Sequence, residues 1–231
     1  MTTSSYAPLQ PSLSLLQAAR LKGQAVPALN FYNAETLRGH IDAALAEQSP
    51  LILQTTESTI RYLGLPLIVG MARAAASELP TPVALHLDHG ASLELAARAI
   101  KAGYSSVMID GSALPFEENC ALARRVVELA HPLGVSVEAE LGHVGEAQND
   151  DPQACYTQPE AAALFVERTG VDALAVAIGT AHGFYRGAVQ LDFVRLAAIR
   201  QAIPNTPLVL HGGSGVPAEL VKRAIECGIA K

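Results

Sequence analysis

Val83-Ala-Leu-His-Leu-Asp-His-Gly90-Ala-Ser-Leu-Glu-Leu-Ala-Ala-Arg-Ala-Ile-Lys-Ala-Gly103-Tyr-Ser-Ser106-Val-Met-Ile109 carries the chain's architectural pattern in its plainest form. It opens on a short apolar run, Val83–Leu87, passes into a ten-residue stretch of helical period, Leu93–Ala102, and returns to a short run, Ser106–Ile109. Gly103 stands where a helix C-terminus wants a left-handed residue. Runs that are apolar throughout, joined by a helix, describe parallel strands buried on both faces.

The same rhythm continues in both directions. Strands are expected at Ala25–Asn30, Leu51–Gln54, Ser136–Leu141, Ala173–Ile178 and Leu208–Leu210. Helices are expected at Ser12–Leu21, Ala34–Gln48, Pro66–Leu79, Phe116–Pro132, Pro159–Thr169, Asp192–Ile203 and Pro217–Cys227. Asn33 is placed to cap the second helix. Pro66, Pro159 and Pro217 occupy first-turn positions, and Gly134, Gly170 and Gly228 terminal ones. Seven βα units between Ala25 and the chain's last residues match a TIM barrel's pace of roughly 30 residues per unit. A doubly wound sheet fits less well. No Gly-x-Gly-x-x-Gly follows the first strand, and polar residues end nearly every strand instead of clustering at one switch point. The reading is therefore α/β, a TIM (β/α)8 barrel in a single domain over 1–231. The eighth unit is expected beyond Gly228-Ile-Ala-Lys231, with a gap beside the first strand in its absence.

Composition narrows the function classes. The chain is 50% hydrophobic and 16% charged, which supports a packed core and excludes disorder. A net charge of −6 argues against a nucleic-acid partner. No apolar run is long enough to span a membrane, and the N-terminus lacks a signal-peptide pattern. Cys120, Cys155 and Cys227 are odd in number and form no framework, which fits a reducing cytoplasm.

In a barrel, the C-terminal strand ends meet at one mouth, where active sites lie. Those ends carry Asn30 and Asn33; Gln54, Thr55 and Thr56; His86, Asp88 and His89; Asp110; Glu138 and Glu140; His182; and His211. Three imidazoles from different strand ends, with a fourth position open, make a catalytic Zn²⁺ site, and His89, His182 and His211 are the candidates. His86, three residues earlier on an extended segment, is expected to pack elsewhere. Asp88 is a candidate to orient a ligand or to act as a general acid/base, and strand alternation turns it away from its neighbour His89. Asp110 and Glu140 could bind a second cation. His211-Gly-Gly-Ser-Gly215, running into a helix, is a phosphate-loop candidate. Gly142–Gln158 is read as a mobile active-site loop.

Six segments together resemble the class II, metal-dependent ketose-bisphosphate aldolases of fructose- or tagatose-1,6-bisphosphate type. They are Asn30–Thr36, Val83–Gly90, Ser106–Ser112, Val137–Gly142, Ala177–Gly183 and Val209–Gly215, in the family's order. The resemblance implies a lyase that reversibly cleaves a ketose 1,6-bisphosphate to dihydroxyacetone phosphate and glyceraldehyde 3-phosphate. It implies Zn²⁺ on His89, His182 and His211, with Asp110 and Glu140 at a second divalent site. Asp88 would be the proton donor to the aldehyde oxygen. Asn30, Asn33, Thr56, Gly183, Gly212, Gly213 and Ser214 would bind substrate, with Na⁺ or K⁺ assisting. The family's loop carries a Glu that moves the substrate C–H proton; Gln148 stands at that spacing, and Glu146 two residues away is the substitute. A cytoplasmic homodimer or homotetramer in glycolysis or carbohydrate metabolism is the implied setting. A Lewis-acid metal removes the need for a Schiff-base lysine. None of Lys22, Lys101, Lys222 and Lys231 is expected within a strand. A non-catalytic sugar-phosphate-binding barrel and a metal-dependent hydrolase on the same fold are the alternatives. The hydrolase would want His-x-His on strand one, where Asn30-Phe-Tyr-Asn33 stands instead.

Overall fold

The computed structural model describes residues 8–144, 156–183, 185 and 187–231. Seven parallel strands form one curled sheet in sequence order. They are β1 (Ala28–Asn30), β2 (Leu51–Thr55), β3 (Val83–Gly90), β4 (Ser106–Ile109), β5 (Ser136–Leu141), β6 (Ala173–Val176) and β7 (Leu208–Val209). Helix α1 (Ser12–Leu21) precedes the sheet, and the outer ring comprises α2 (Ala34–Glu47), α3 (Glu57–Leu63), α4 (Leu65–Glu78), α5 (Leu93–Ala102), α6 (Phe116–Ala130), α7 (Pro159–Thr169), α8 (Phe193–Ala202) and α9 (Ala218–Glu226). This is the α/β architecture of a TIM barrel with seven complete βα units.

Strand alternation sorts the side chains into two cores. Leu85, Leu87, Val107, Ile109, Val137 and Leu174 face outward onto the helices. Ile52, Ala84, Met108, Ala173, Ala175 and Val209 face inward, and α1 plugs the floor with Leu15, Leu16 and Ala19. Burying a leucine such as Leu16, which is fully enclosed, contributes about 1.5–3 kcal/mol.

The structure departs from the sequence reading in three places. Helix α3 was not expected: Gly64, at φ +79°, divides one helical region into α3 and α4, and Pro66 sits in the first turn of α4. A two-turn helix is too short to show a period of its own. Strand β1 begins at Ala28, after Pro27, which has no N–H to give a ladder.

The third departure is at the eighth position, where a gap was expected. Gly228 turns at φ +113°, and Ile229 bridges in parallel to Leu208. Ala230 N–H donates to Leu208 O at 2.8 Å and Val26 N–H donates to Ala230 O at 2.8 Å, so residues 229–231 link β7 to the chain entering β1. Lys231 is therefore carried into the barrel interior with a buried ammonium. A cavity of about 570 Å³ remains beside this link, lined by Asn30, Gln54, Asp88, His182, His211 and the glycines that follow.

Candidate active site

Strand β3 does most to build the mouth. Ala84, His86 and Asp88 share its inward face by alternation, which would point His89 outward. The pairing with β4 instead shifts register between Leu87 and Gly90, and His89 takes φ +46°. A non-glycine residue in that region costs of order 1–3 kcal/mol, and such residues collect at functional sites. The bulge brings His89 to the same side as Asp88, which strand alternation alone does not anticipate.

Three imidazoles from three strand ends gather there. The ring centroids lie 4.4 Å apart for His89 and His211, 4.9 Å for His89 and His182, and 6.3 Å for His182 and His211. Each ring keeps one nitrogen uncommitted among the described residues. His89 Nδ1 is 2.7 Å from Asp110 Oδ2, which leaves Nε2 buried without a partner among the described residues. His182 Nε2 is likewise buried and unpartnered. His211 Nε2 is 2.8 Å from Glu138 Oε1, while its Nδ1 stands 3.9 Å from Asp88 Oδ1, beyond hydrogen-bond reach. Ligand atoms of Asp88, His89 and His211 lie within 4.8 Å of one another, as do those of His89, Asp110 and Glu140. Buried nitrogen and carboxylate atoms left unpaired in such a cluster are the donor set a divalent transition metal takes, so the residues present fit Zn²⁺.

The charges follow the same geometry. Burial opposes the positive form of His89, but the hydrogen bond to Asp110 and the charges of Asp88 and Glu140 prevail and push it up to about 8. Burial, with help from Asp110's charge, pushes Glu140 up to about 8. Burial and the neighbouring His89 and His211 drop His182 to about 4. Burial resists ionisation of Asp88, yet His211, Lys231 and His89 hold its carboxyl below the usual value. Asp88 is thus held in its ionised form. Asn30 Nδ2 donates to its Oδ2 at 3.2 Å, and Oδ1 has no partner among the described residues.

The glycine loop after β7 packs against the end of β6. Gly212 sits at φ +68°, and a Cβ there would come 2.7 Å from Ala181 O; Gly213 faces open space. Tyr185 joins the two loops, accepting from Ala181 N–H at 2.8 Å and donating to Gly212 O at 2.9 Å.

Residues 10–231 match the family model for class-II fructose-bisphosphate aldolase. The chain belongs to that family. Among solved structures it is similar to the YdjI aldolase from Escherichia coli K12, at 41% identity and a TM-score of 0.86, covering 96% of this chain and 80% of that one. It is also similar to the fructose-bisphosphate aldolase Fba from Campylobacter jejuni, at 26% identity and a TM-score of 0.80, covering 97% of this chain and 76% of that one. The protein is therefore an aldol-cleaving lyase of the metal-dependent class.

The mouth collects Asn30, Asp88, His182, His211, Gly183, Gly212, Gly213 and Ser214 around one cavity, with His89 touching it through His182 and His211. Asn33 is not among them. Its side chain accepts from Thr36 N–H in a capping box that starts α2. Thr56 Oγ1 lies 2.8 Å from Ser58 Oγ at the start of α3. His86 is buried in the interior against Ser106 and is not one of the three gathered rings. Glu146 falls outside the described residues. Sequence reasoning gave no role to Glu138, Lys231 or Tyr185. Alternation along Ser136, Glu138 and Glu140 points all three inward and could have marked Glu138. Tyr185 left no such signal.

Proposed function

We propose that the protein reversibly cleaves a ketose 1,6-bisphosphate, of fructose or tagatose configuration, to dihydroxyacetone phosphate and glyceraldehyde 3-phosphate with Zn²⁺ as its catalytic metal. The observation that carries this reading is the meeting of His89, His182 and His211, each with one uncommitted ring nitrogen, beside an ionised Asp88. Those three imidazoles would hold the metal. Bound there, Zn²⁺ would supply Lewis-acid polarisation of the substrate ketone, easing the charge that develops as the carbon–carbon bond breaks.

The chain's own groups do the rest. Asp88 Oδ1 takes the hydroxyl proton in cleavage and returns it in condensation, while Asn30 steadies the other carboxylate oxygen. Gly212, Gly213 and Ser214 present loop N–H groups to one phosphate ahead of α9, with Gly183 beside them. Asp110 and Glu140, sharing His89 between them, form the second divalent site. Glu146 is the proposed mover of the substrate C–H proton. The cytoplasmic setting and the homodimer or homotetramer follow from the family resemblance.

The test is a coupled assay for triose phosphate on fructose 1,6-bisphosphate and tagatose 1,6-bisphosphate, with borohydride added to trap any lysine adduct. Release of triose phosphate from at least one substrate, with no trapped adduct, is expected. Inertness toward both, with Zn²⁺ bound, would refute the substrate assignment.

A further inference from the structure

Below the three rings, the barrel interior holds a polar chain that the proposed reaction does not use. Glu138 on β5 has both carboxylate oxygens committed: Oε1 lies 2.8 Å from His211 Nε2 and Oε2 lies 2.8 Å from Lys231 Nζ. Lys231 Nζ also lies 3.0 Å from His86 Nε2. His86 Nδ1 is 2.7 Å from Ser106 Oγ, and Ser106 Oγ is 2.8 Å from Ser12 Oγ on α1. All six side chains in this run are buried.

Chemistry fixes the direction of each bond. An ammonium only donates, and a carboxylate only accepts. Lys231 therefore donates to Glu138 and to His86 Nε2, so the His86 proton sits on Nδ1 and is donated to Ser106. Glu138 can only accept from His211, so the His211 ring must carry its proton on Nε2. We propose that Glu138, itself held by Lys231, is the positioning residue of the metal centre: it fixes His211 as the Nε2–H tautomer and leaves Nδ1 as the nitrogen offered at the mouth. The inference rests on the metal reading of that site. A carboxylate behind a metal-binding imidazole orients the ring and raises its basicity. Lys231 adds a second function here, because it determines which way an acceptor at position 138 must face.

That dependence makes a sharp test. The full chain is labelled with ¹⁵N-histidine and stripped of metal, and two-bond ¹⁵N–¹H correlation spectra read each tautomer, with H211N assigning the His211 signals. Wild type is expected to show His211 as Nε2–H. In E138Q the amide carbonyl should turn to the Lys231 ammonium and present its NH₂ to His211. The tautomer should then invert to Nδ1–H, and Zn²⁺ affinity, measured by chelator competition, should fall about 10–100-fold. Adding K231M should let the carbonyl swing back, restoring the Nε2–H tautomer and most of the affinity, a recovery that general structural damage would not show. E138D, with its carboxylate drawn back by one carbon, serves if E138Q fails to fold; it should keep the Lys231 pair and lose the fixed tautomer. Retention of the Nε2–H tautomer with Zn²⁺ affinity within about twofold of wild type in a folded E138Q or E138D would overturn the proposal. Because the tautomer is read on metal-free protein, its failure is distinct from failure of the metal reading, which would appear as no Zn²⁺ uptake by wild type.

Discussion

The lower and upper halves of the barrel interior treat buried polar groups in opposite ways. Near the floor, Ser12, Ser106, His86, Lys231 and Glu138 each have a hydrogen-bond partner. At the mouth, Asn30 Oδ1, Gln54 Oε1, Asp88 Oδ1, His89 Nε2, Glu140 Oε2 and His182 Nε2 are buried with no partner among the described residues. Leaving such an atom unsatisfied costs about 1–3 kcal/mol. The floor therefore contributes to stability, whereas the mouth costs stability and recovers it only when a ligand arrives. His211 belongs to both halves, with Nε2 on Glu138 and Nδ1 facing the mouth.

This contrast predicts that mouth substitutions remove activity while sparing the fold, and substitutions in the apolar floor do the reverse, Glu138 standing apart because it reaches the mouth through His211. The largest effect is expected at Asp88. D88A should lower turnover by about 10²–10⁴-fold, the range for a lost general acid/base, with Zn²⁺ content near wild type. If D88A instead empties the metal site and added Zn²⁺ restores the rate, Asp88 orients the metal and moves no proton.

On the floor, L16A should destabilise the protein by about 2–5 kcal/mol in denaturant melts. Its KM should be unchanged at temperatures where it is folded. At the mouth, H182A should leave the unfolding free energy of metal-free protein within about 0.5 kcal/mol of wild type, since its Nε2 has no hydrogen-bond partner among the described residues. A large loss there would place His182 with the floor.

The two glycines of the loop after β7 sharpen the comparison. G212A forces a left-handed backbone and a contact with Ala181, so it should lower stability. G213A meets open space and should raise KM with the melting temperature unchanged.

The smallest effect concerns pH in the metal-free protein. His89 is raised to about 8 from an ordinary 6.5, so its pairing with Asp110 stabilises fully below pH 6.5 and fades as pH rises through 8. Asp110 is depressed, burial being outweighed by His89 and Ser112, so its contribution is present above its ordinary value and lost only in strong acid. Stability should decline between pH 6.5 and 8, Glu140, also raised to about 8 by burial, adding to the fall, and D110N should lessen that slope.

Most of the fold was legible because buried parallel strands are apolar runs of known length and their helices carry explicit terminators. β4, β5, α1, α5 and α7 begin and end where the sequence places them. Helix α3 was not legible, because seven residues do not establish a period. The mouth residues were legible because barrel topology turns strand ends into neighbours. The way Asp88 and His89 come to face one site was not, since the bulge after Leu87 breaks the alternation that a sequence reading must assume. The place of Lys231 was not legible for a related reason: three residues carry too little pattern to show what they bond to, and their hydrogen bonds to Val26 and β7 are a tertiary fact.

Metal content and cleavage rate measured on one preparation decide whether aldol cleavage here depends on a metal held by His89, His182 and His211. The two would be followed as purified, after EDTA, and after Zn²⁺ is restored. About one Zn²⁺ per chain, cleavage abolished by chelation and recovered on adding Zn²⁺, with H182A and H211A failing to recover, is the result expected of a three-histidine site. Undiminished triose-phosphate release from fully metal-free protein would contradict it.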